Sequence, residues 1–114
     1  MSSLPKTVEA FFDAKNTQDY VLISSLFSDK AVVIDGGENK TITGEVEISE
    51  WIKKSLTTLN LSSEIIDAKL INGISEVEAK VTGDFPGSPV KFLYKFTLKD
   101  EKISTLDIEY LGQI

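Results

Sequence analysis

Two stretches near the start of the chain carry apolar residues at the spacing of an α-helix. The first stripe consists of Leu4, Val8, Phe11, Phe12 and Lys15. The second consists of Leu22, Ile23, Leu26 and Phe27. Pro5 is a start signal for the first helix, and Asp19 suits the N-terminal end of the second, which is predicted to end near residues 28–29. A third helix is predicted from about Gly44, and its apolar stripe consists of Ile48, Trp51, Ile52 and Leu56.

The other patterns indicate strands. Residues 31–35 are a short, β-branched run that ends at Asp35 and is followed by two glycines. From Leu61 the apolar period changes to two, and the Asn-Gly pair at 72–73 predicts a hairpin that joins residues 61–71 to a strand over 75–82. After a loop rich in glycine and proline, two more strands are predicted, over 90–99 and from 102 to about 110. The order α-α-β-α-β-β-β-β is typical of an α+β fold with helices on one face of a mostly antiparallel sheet.

Composition narrows the possible chemistry. The 114 residues contain no cysteine and no histidine, which excludes disulfides, thiolate nucleophiles and Ser-His or Cys-His catalytic pairs. All 12 basic residues are lysines, and the net charge of -6 disfavours nucleic acid and anionic membranes as partners. Neither a signal segment nor a stretch of membrane-spanning length is found, so we expect a cytoplasmic protein with a single domain over residues 1–114. No metal site is predicted, because the acidic residues at 35–39 lack the spacing of a calcium loop. No cofactor is predicted either.

Several segments carry a family resemblance. They are residues 8–12 with Asn16 and Asp19, residues 26–29, residues 44–51, residues 85–90, and residues 96–98 followed by 102–103. Together they resemble the nuclear transport factor 2-like superfamily and, within it, the SnoaL-like group, which includes polyketide cyclases and ketosteroid isomerase. The resemblance implies a cone-shaped curved sheet wrapped around the N-terminal helices, with a pocket at the open end of the cone. It also implies a homodimer formed through the outer face of the sheet.

The resemblance also points to individual residues. Asp35 matches the carboxylate that moves the proton in ketosteroid isomerase, and Tyr94 is nearest to the second oxyanion donor of that enzyme. Phe11 takes the place of the tyrosine that supplies the first donor, so that donor is lost here. The histidine that SnoaL-type cyclases use in the pocket has no counterpart, because the chain has none.

The residues themselves leave alternatives open. Asp35 either faces inward, where desolvation makes it a usable acid or base, or closes the turn at the two glycines. In the inward case, Asp35→Asn is predicted to keep or raise stability. Tyr94 either makes a structural hydrogen bond or donates to a ligand, and Trp51 belongs either to the core or to a pocket wall. A bulge in the last strand would decide whether Asp107 or Glu109 points inward.

The leading hypothesis is a domain that binds a small apolar or ring-containing molecule in an aromatic pocket. Its predicted ligand-binding residues are Phe11, Phe27, Trp51, Phe92 and Phe96, with Tyr94 beside them. One alternative is a cofactor-independent isomerase or cyclase, in which Asp35 is the general acid or base and Tyr94 donates a hydrogen bond to an enolate. A second alternative is a protein-binding or assembly module.

Overall fold

The computed structural model describes residues 4–114 of the chain. Its helices are α1 (Lys6–Asn16), α2 (Tyr20–Ser25) and α3 (Glu45–Thr57). Its strands are β1 (Phe27–Asp35), β2 (Lys40–Thr43), β3 (Ser62–Ile71), β4 (Ile74–Thr82), β5 (Val90–Lys99) and β6 (Lys102–Gln113). The predicted α+β class and element order are confirmed, and the short strand β2 is added between β1 and α3. No helix in this part of the chain is long and apolar enough to cross a membrane.

The strands form one curved, open sheet in the order β2-β1-β6-β5-β4-β3. Neighbouring strands are antiparallel except β1 and β6, which run parallel. This parallel pair places Asp35, the last residue of β1, opposite Ile108 of β6. A carboxylate at the end of the first strand is therefore held against the middle of the sheet.

The helices cover the inner face of the sheet. Helix α1 buries Val8, Phe11 and Phe12, and the Phe11 ring lies 5.2 Å from that of Phe96 on β5. Helix α3 buries its predicted apolar stripe except for Trp51, which is only partly buried. Each fully buried phenylalanine contributes on the order of 1.5–3 kcal/mol by leaving water, so these rings account for much of the attachment of α1 to the sheet.

The end of α2 differs from the prediction. The helix stops at Ser25, and Phe27 already belongs to β1, so the predicted end near residues 28–29 is wrong. The amide of Ile103 donates to the carbonyl of Leu26 at 2.8 Å, and Phe27 lies opposite Ile103 in the sheet. A helix as short as α2 has little stability by itself. Phe27, which the apolar period assigned to the helix, therefore pairs with β6 instead.

A bulge in β6 decides the orientation of its acidic residues. Thr97 pairs with Thr105 and Leu98 with Ile103, so Ser104 is an extra residue on the β6 side. Beyond the bulge, Leu106 and Ile108 are buried. The intervening Asp107 and the following Glu109 therefore lie on the outer face, and neither lines the inner side of the sheet.

Candidate functional site

A cavity of about 210 Å³ lies between the helices and the inner face of the sheet. Its walls come from every helix, from the end of β1 and from strands β4, β5 and β6. The lining is mostly apolar, and its aromatic members are Phe11, Trp51, Phe85, Phe92 and Tyr94. Its polar and charged side chains are Lys15, Asp35, Glu38, Ser55 and Tyr94. This is the composition of a site for a small organic molecule, in which a few polar groups set the orientation of an apolar ligand.

Two of the six predicted wall residues lie elsewhere. Phe96 is completely buried and packs against Phe11 and Phe12, and Phe27 packs against Phe11 at a centroid distance of 6.2 Å. Neither borders the cavity, so their placement on its wall is corrected. Both occupy the part of the inner face that α1 covers. Strand alternation identifies a face of the sheet but gives no information on which part of that face a helix covers.

Asp35 is nearly fully buried and makes contacts on both sides of its carboxylate. Its Oδ1 accepts hydrogen bonds from the backbone amides of Gly37 at 2.9 Å and Glu38 at 3.3 Å. Its Oδ2 accepts one from the indole Nε1 of Trp51 at 2.9 Å. Asp35 therefore closes the turn after β1 and also lines the cavity.

The first glycine after Asp35 is required by close backbone contact. The amide of Gly36 donates to the carbonyl oxygen of Ile108 at 2.8 Å. A Cβ at position 36 would clash with that same oxygen. The missing side chain therefore lets the end of β1 approach β6, and this approach fixes where the Asp35 carboxylate enters the cavity.

Lys15 and Tyr94 form a second polar pair on the cavity wall. The Lys15 Nζ donates to the Tyr94 hydroxyl at 2.6 Å and lies 4.9 Å from the centroid of the same ring. Only 6% of the Lys15 surface and 2% of the Tyr94 surface are exposed. The ion pairs found within residues 4–114 do not include Lys15. In the part of the chain that the structure describes, the Lys15 ammonium group therefore lies in a mostly apolar cavity with no carboxylate at ion-pair distance.

Sequence reasoning did not propose Lys15 as a site residue. The signal was present, because Lys15 falls on the apolar stripe of the first helix, four residues after Phe11. A lysine at such a position normally extends its charged end into water, which is why the pattern alone does not mark a site. The partner hydroxyl of Tyr94 lies 79 positions further along the chain.

Comparison with known proteins identifies the family to which this fold belongs. No protein-family model matches the chain, and no curated protein matches it. Protein SMa1630 from Sinorhizobium meliloti, provisionally named a polyketide cyclase, is 36% identical, with a TM-score of 0.86. The match covers 93% of this chain and 95% of that protein. The chain therefore belongs to the nuclear transport factor 2-like superfamily and its SnoaL-like group, and the resemblance predicted from the sequence is confirmed.

More distant solved structures share the fold. A protein with a ketosteroid isomerase-like fold from Catenulispora acidiphila DSM 44928, solved in complex with trimethylamine, is 22% identical over 95% of this chain and 87% of its own, with a TM-score of 0.82. An LEH-like epoxide hydrolase from M. tuberculosis is 17% identical over 93% and 80%, with a TM-score of 0.76. At these identities the likeness extends to the fold alone.

Proposed function

We propose that this chain binds a small, mostly apolar, ring-containing molecule in the cavity between its helices and its sheet. The observation that carries the proposal is the wall itself, in which aromatic rings from α1, α3 and β5 surround a space of about 210 Å³ with few polar groups. Rings of a ligand gain both apolar burial and edge-to-face contacts against such a wall. The provisional name of SMa1630 agrees with an organic ligand of this kind.

A cofactor-independent isomerase or cyclase is the second candidate function. Asp35 and Tyr94 line the same cavity, which is the arrangement that a general base and a hydrogen-bond donor to an enolate require. A carboxylate offers about four acceptor positions, and Asp35 uses three of them for protein donors. About one position therefore remains for a proton taken from a substrate.

The binding proposal is tested through Trp51, the only tryptophan of the chain. Its indole N–H is expected to give a single signal in a ¹⁵N correlation spectrum, and this N–H donates to Asp35 on the cavity wall. Titration with 1-indanone, a small ring ketone, is expected to shift the signal with saturation. Ser55→Phe, which fills the cavity from α3, is expected to abolish the shift.

The matched control is Ser62→Phe, the same substitution at an exposed position at the start of β3. It should leave the titration unchanged. An indole signal that stays fixed up to the solubility limit of 1-indanone would overturn the binding proposal for ring ketones of this size. A shift that Ser55→Phe does not alter would place the ligand outside the cavity.

The same ketone separates binding from catalysis. In D₂O, a base at Asp35 would remove a proton from the carbon next to the carbonyl, and deuterium would then replace it. Exchange that the protein accelerates and Asp35→Asn abolishes supports the isomerase or cyclase alternative. Exchange at the rate of the protein-free solution, with a normal indole shift, supports binding without proton transfer at this carbon.

A further inference from the structure

The Lys15 and Tyr94 side chains carry more hydrogen-bond donors than residues 4–114 supply acceptors for. An ammonium group has three N–H donors, and a phenol adds one O–H. One ammonium proton goes to the Tyr94 oxygen, and no acceptor within residues 4–114 takes the remaining ones or the phenolic proton. Buried donors of this kind are costly to leave without acceptors, and a buried charge more so.

The charged side chains of the cavity wall differ in whether the protein supplies them with partners. Asp35 is bound to the turn after β1 and to Trp51, and Glu38 pairs with Lys40 at 3.1 Å. Lys15 contacts the Tyr94 hydroxyl and ring, and it forms none of the ion pairs in the described part of the chain. Among residues 4–114, Lys15 is therefore the one cation that lines the cavity, and it has no ion-pair partner there.

We propose that Lys15 and Tyr94 form a carboxylate-binding subsite, so that the ligand is a small apolar acid rather than a neutral ring compound. One carboxylate oxygen would accept from the Lys15 ammonium and the other from the Tyr94 hydroxyl, which supplies the acceptors that both donors lack. The proposal rests on the proposed binding function and specifies its ligand class. It uses a charge-assisted hydrogen bond, which is stronger than a neutral one.

The remaining wall orients such a ligand. The Phe92 ring lies 6.3 Å from the Tyr94 ring, and both Phe92 and the Asp35 Oδ1 approach within 3.2 Å of the position that a Cβ of Gly37 would take. Phe92 therefore lies between the Lys15 and Tyr94 pair and the Asp35 carboxylate. A ligand carboxylate is repelled by Asp35 and attracted by Lys15, so its apolar ring is expected to lie against Phe92 and Trp51.

The test compares indane-2-carboxylate with indane-2-carboxamide, which share one ring system and differ in charge. Calorimetry is expected to show the acid binding the wild-type protein at least about tenfold more tightly than the amide. Lys15→Met keeps a long side chain without the charge and should reduce that ratio to about one. Tyr94→Phe should weaken the acid more than the amide. Lys30→Met is the matched control, because it removes the same charge at an exposed position of β1.

The outcomes distinguish this inference from the binding function beneath it. If the amide binds as tightly as the acid, or if Lys15→Met keeps the preference for the acid, the carboxylate subsite is overturned and the cavity function stands. If Lys30→Met lowers the preference as much as Lys15→Met, the preference reflects overall charge and the subsite is again overturned. If acid, amide and 1-indanone all fail to bind, the binding function falls and the inference falls with it.

Discussion

The carboxylate of Asp35 connects the turn after β1 to helix α3. Its three donors come from Gly37, Glu38 and Trp51, so it contributes to the fold as well as to the cavity wall. Asparagine keeps one carbonyl oxygen but brings an NH₂ group against at least one of these donors. Asp35→Asn is therefore expected to lower the free energy of unfolding by about 1–3 kcal/mol in a urea titration, whereas burial alone predicts unchanged or higher stability.

The matched control for this substitution is Asp107→Asn on the outer face of β6, which should change stability by less than about 0.5 kcal/mol. If Asp35→Asn unfolds at the same urea concentration as the wild type, the three hydrogen bonds contribute nothing measurable. The role of Asp35 would then be confined to the cavity wall, with no contribution to stability.

The buried Lys15 and Tyr94 pair is expected to cost stability. Exchanging both members for apolar residues of similar shape removes an unbalanced charge and leaves no orphaned hydroxyl. The double variant Lys15→Met with Tyr94→Phe is therefore predicted to be more stable than the wild type, by about 1 kcal/mol or more. Thermal and urea unfolding measure the change. A double variant less stable than the wild type would show that the pair contributes to the fold.

Among the elements, the turn between β5 and β6 carries backbone strain. Asp100 and Glu101 both have positive φ values, of 52° and 64°, a left-handed conformation that Asp tolerates but that is sterically unfavourable for Glu. Glu101→Gly is expected to raise the free energy of unfolding by about 1 kcal/mol, because glycine adopts this conformation without steric cost. The Thr7 hydroxyl donates to the backbone carbonyl of Glu101 and not to its side chain, so the substitution keeps that hydrogen bond.

Glu109→Gly in β6 is the control for the turn variant. It places glycine in an exposed strand position, where the loss of stability should be about 0.5–1 kcal/mol. Equal effects of the two substitutions on stability would rule out relief of strain at Glu101.

Most of the helices and strands were predictable, because they follow from the local spacing of apolar residues and from turn residues. The Asn-Gly turn at 72–73 has two positive φ values and pairs Ile71 with Ile74, as the hairpin signal predicts. Strand β2 was missed because Ile42 is its one buried residue, which is too short a pattern to detect. The end of α2 was wrong because a contact with β6, far along the chain, decides it.

The site was less predictable than the fold. Asp35, Trp51, Phe92 and Tyr94 were singled out by position on a strand or helix, and they do line one cavity. Their mutual contacts depend on pairing between β1 and β6 and on the packing of α3, which no local pattern encodes. The pairing of Lys15 with Tyr94 is of the same kind, since each residue looks ordinary in its own element.

For the whole molecule, a homodimer through the outer face of the sheet remains a prediction. Ile34 of β1 is 41% exposed on this face, with charges of both signs around it on β5 and β6. Such a surface suits a two-fold interface, in which one patch faces its own copy. Light scattering at micromolar concentration is expected to give about twice the monomer mass of 12.6 kDa.

Ile34→Glu should convert this dimer to a monomer. Ile71→Glu is the control, because Ile71 is 42% exposed but lies at the end of the edge strand β3. A wild-type mass of 12.6 kDa, or a dimer that only Ile71→Glu disrupts, would contradict an interface on this face.

Whether the cavity is a binding site is tested most directly by a crystal structure of the protein grown with indane-2-carboxylate. We expect density for the ring inside the cavity against Trp51 and Phe92, with the carboxylate within hydrogen-bonding distance of the Lys15 Nζ and the Tyr94 hydroxyl. A ligand found only on the outer surface, or a cavity without the ring at a concentration that saturates binding in solution, would show that the cavity is not the binding site.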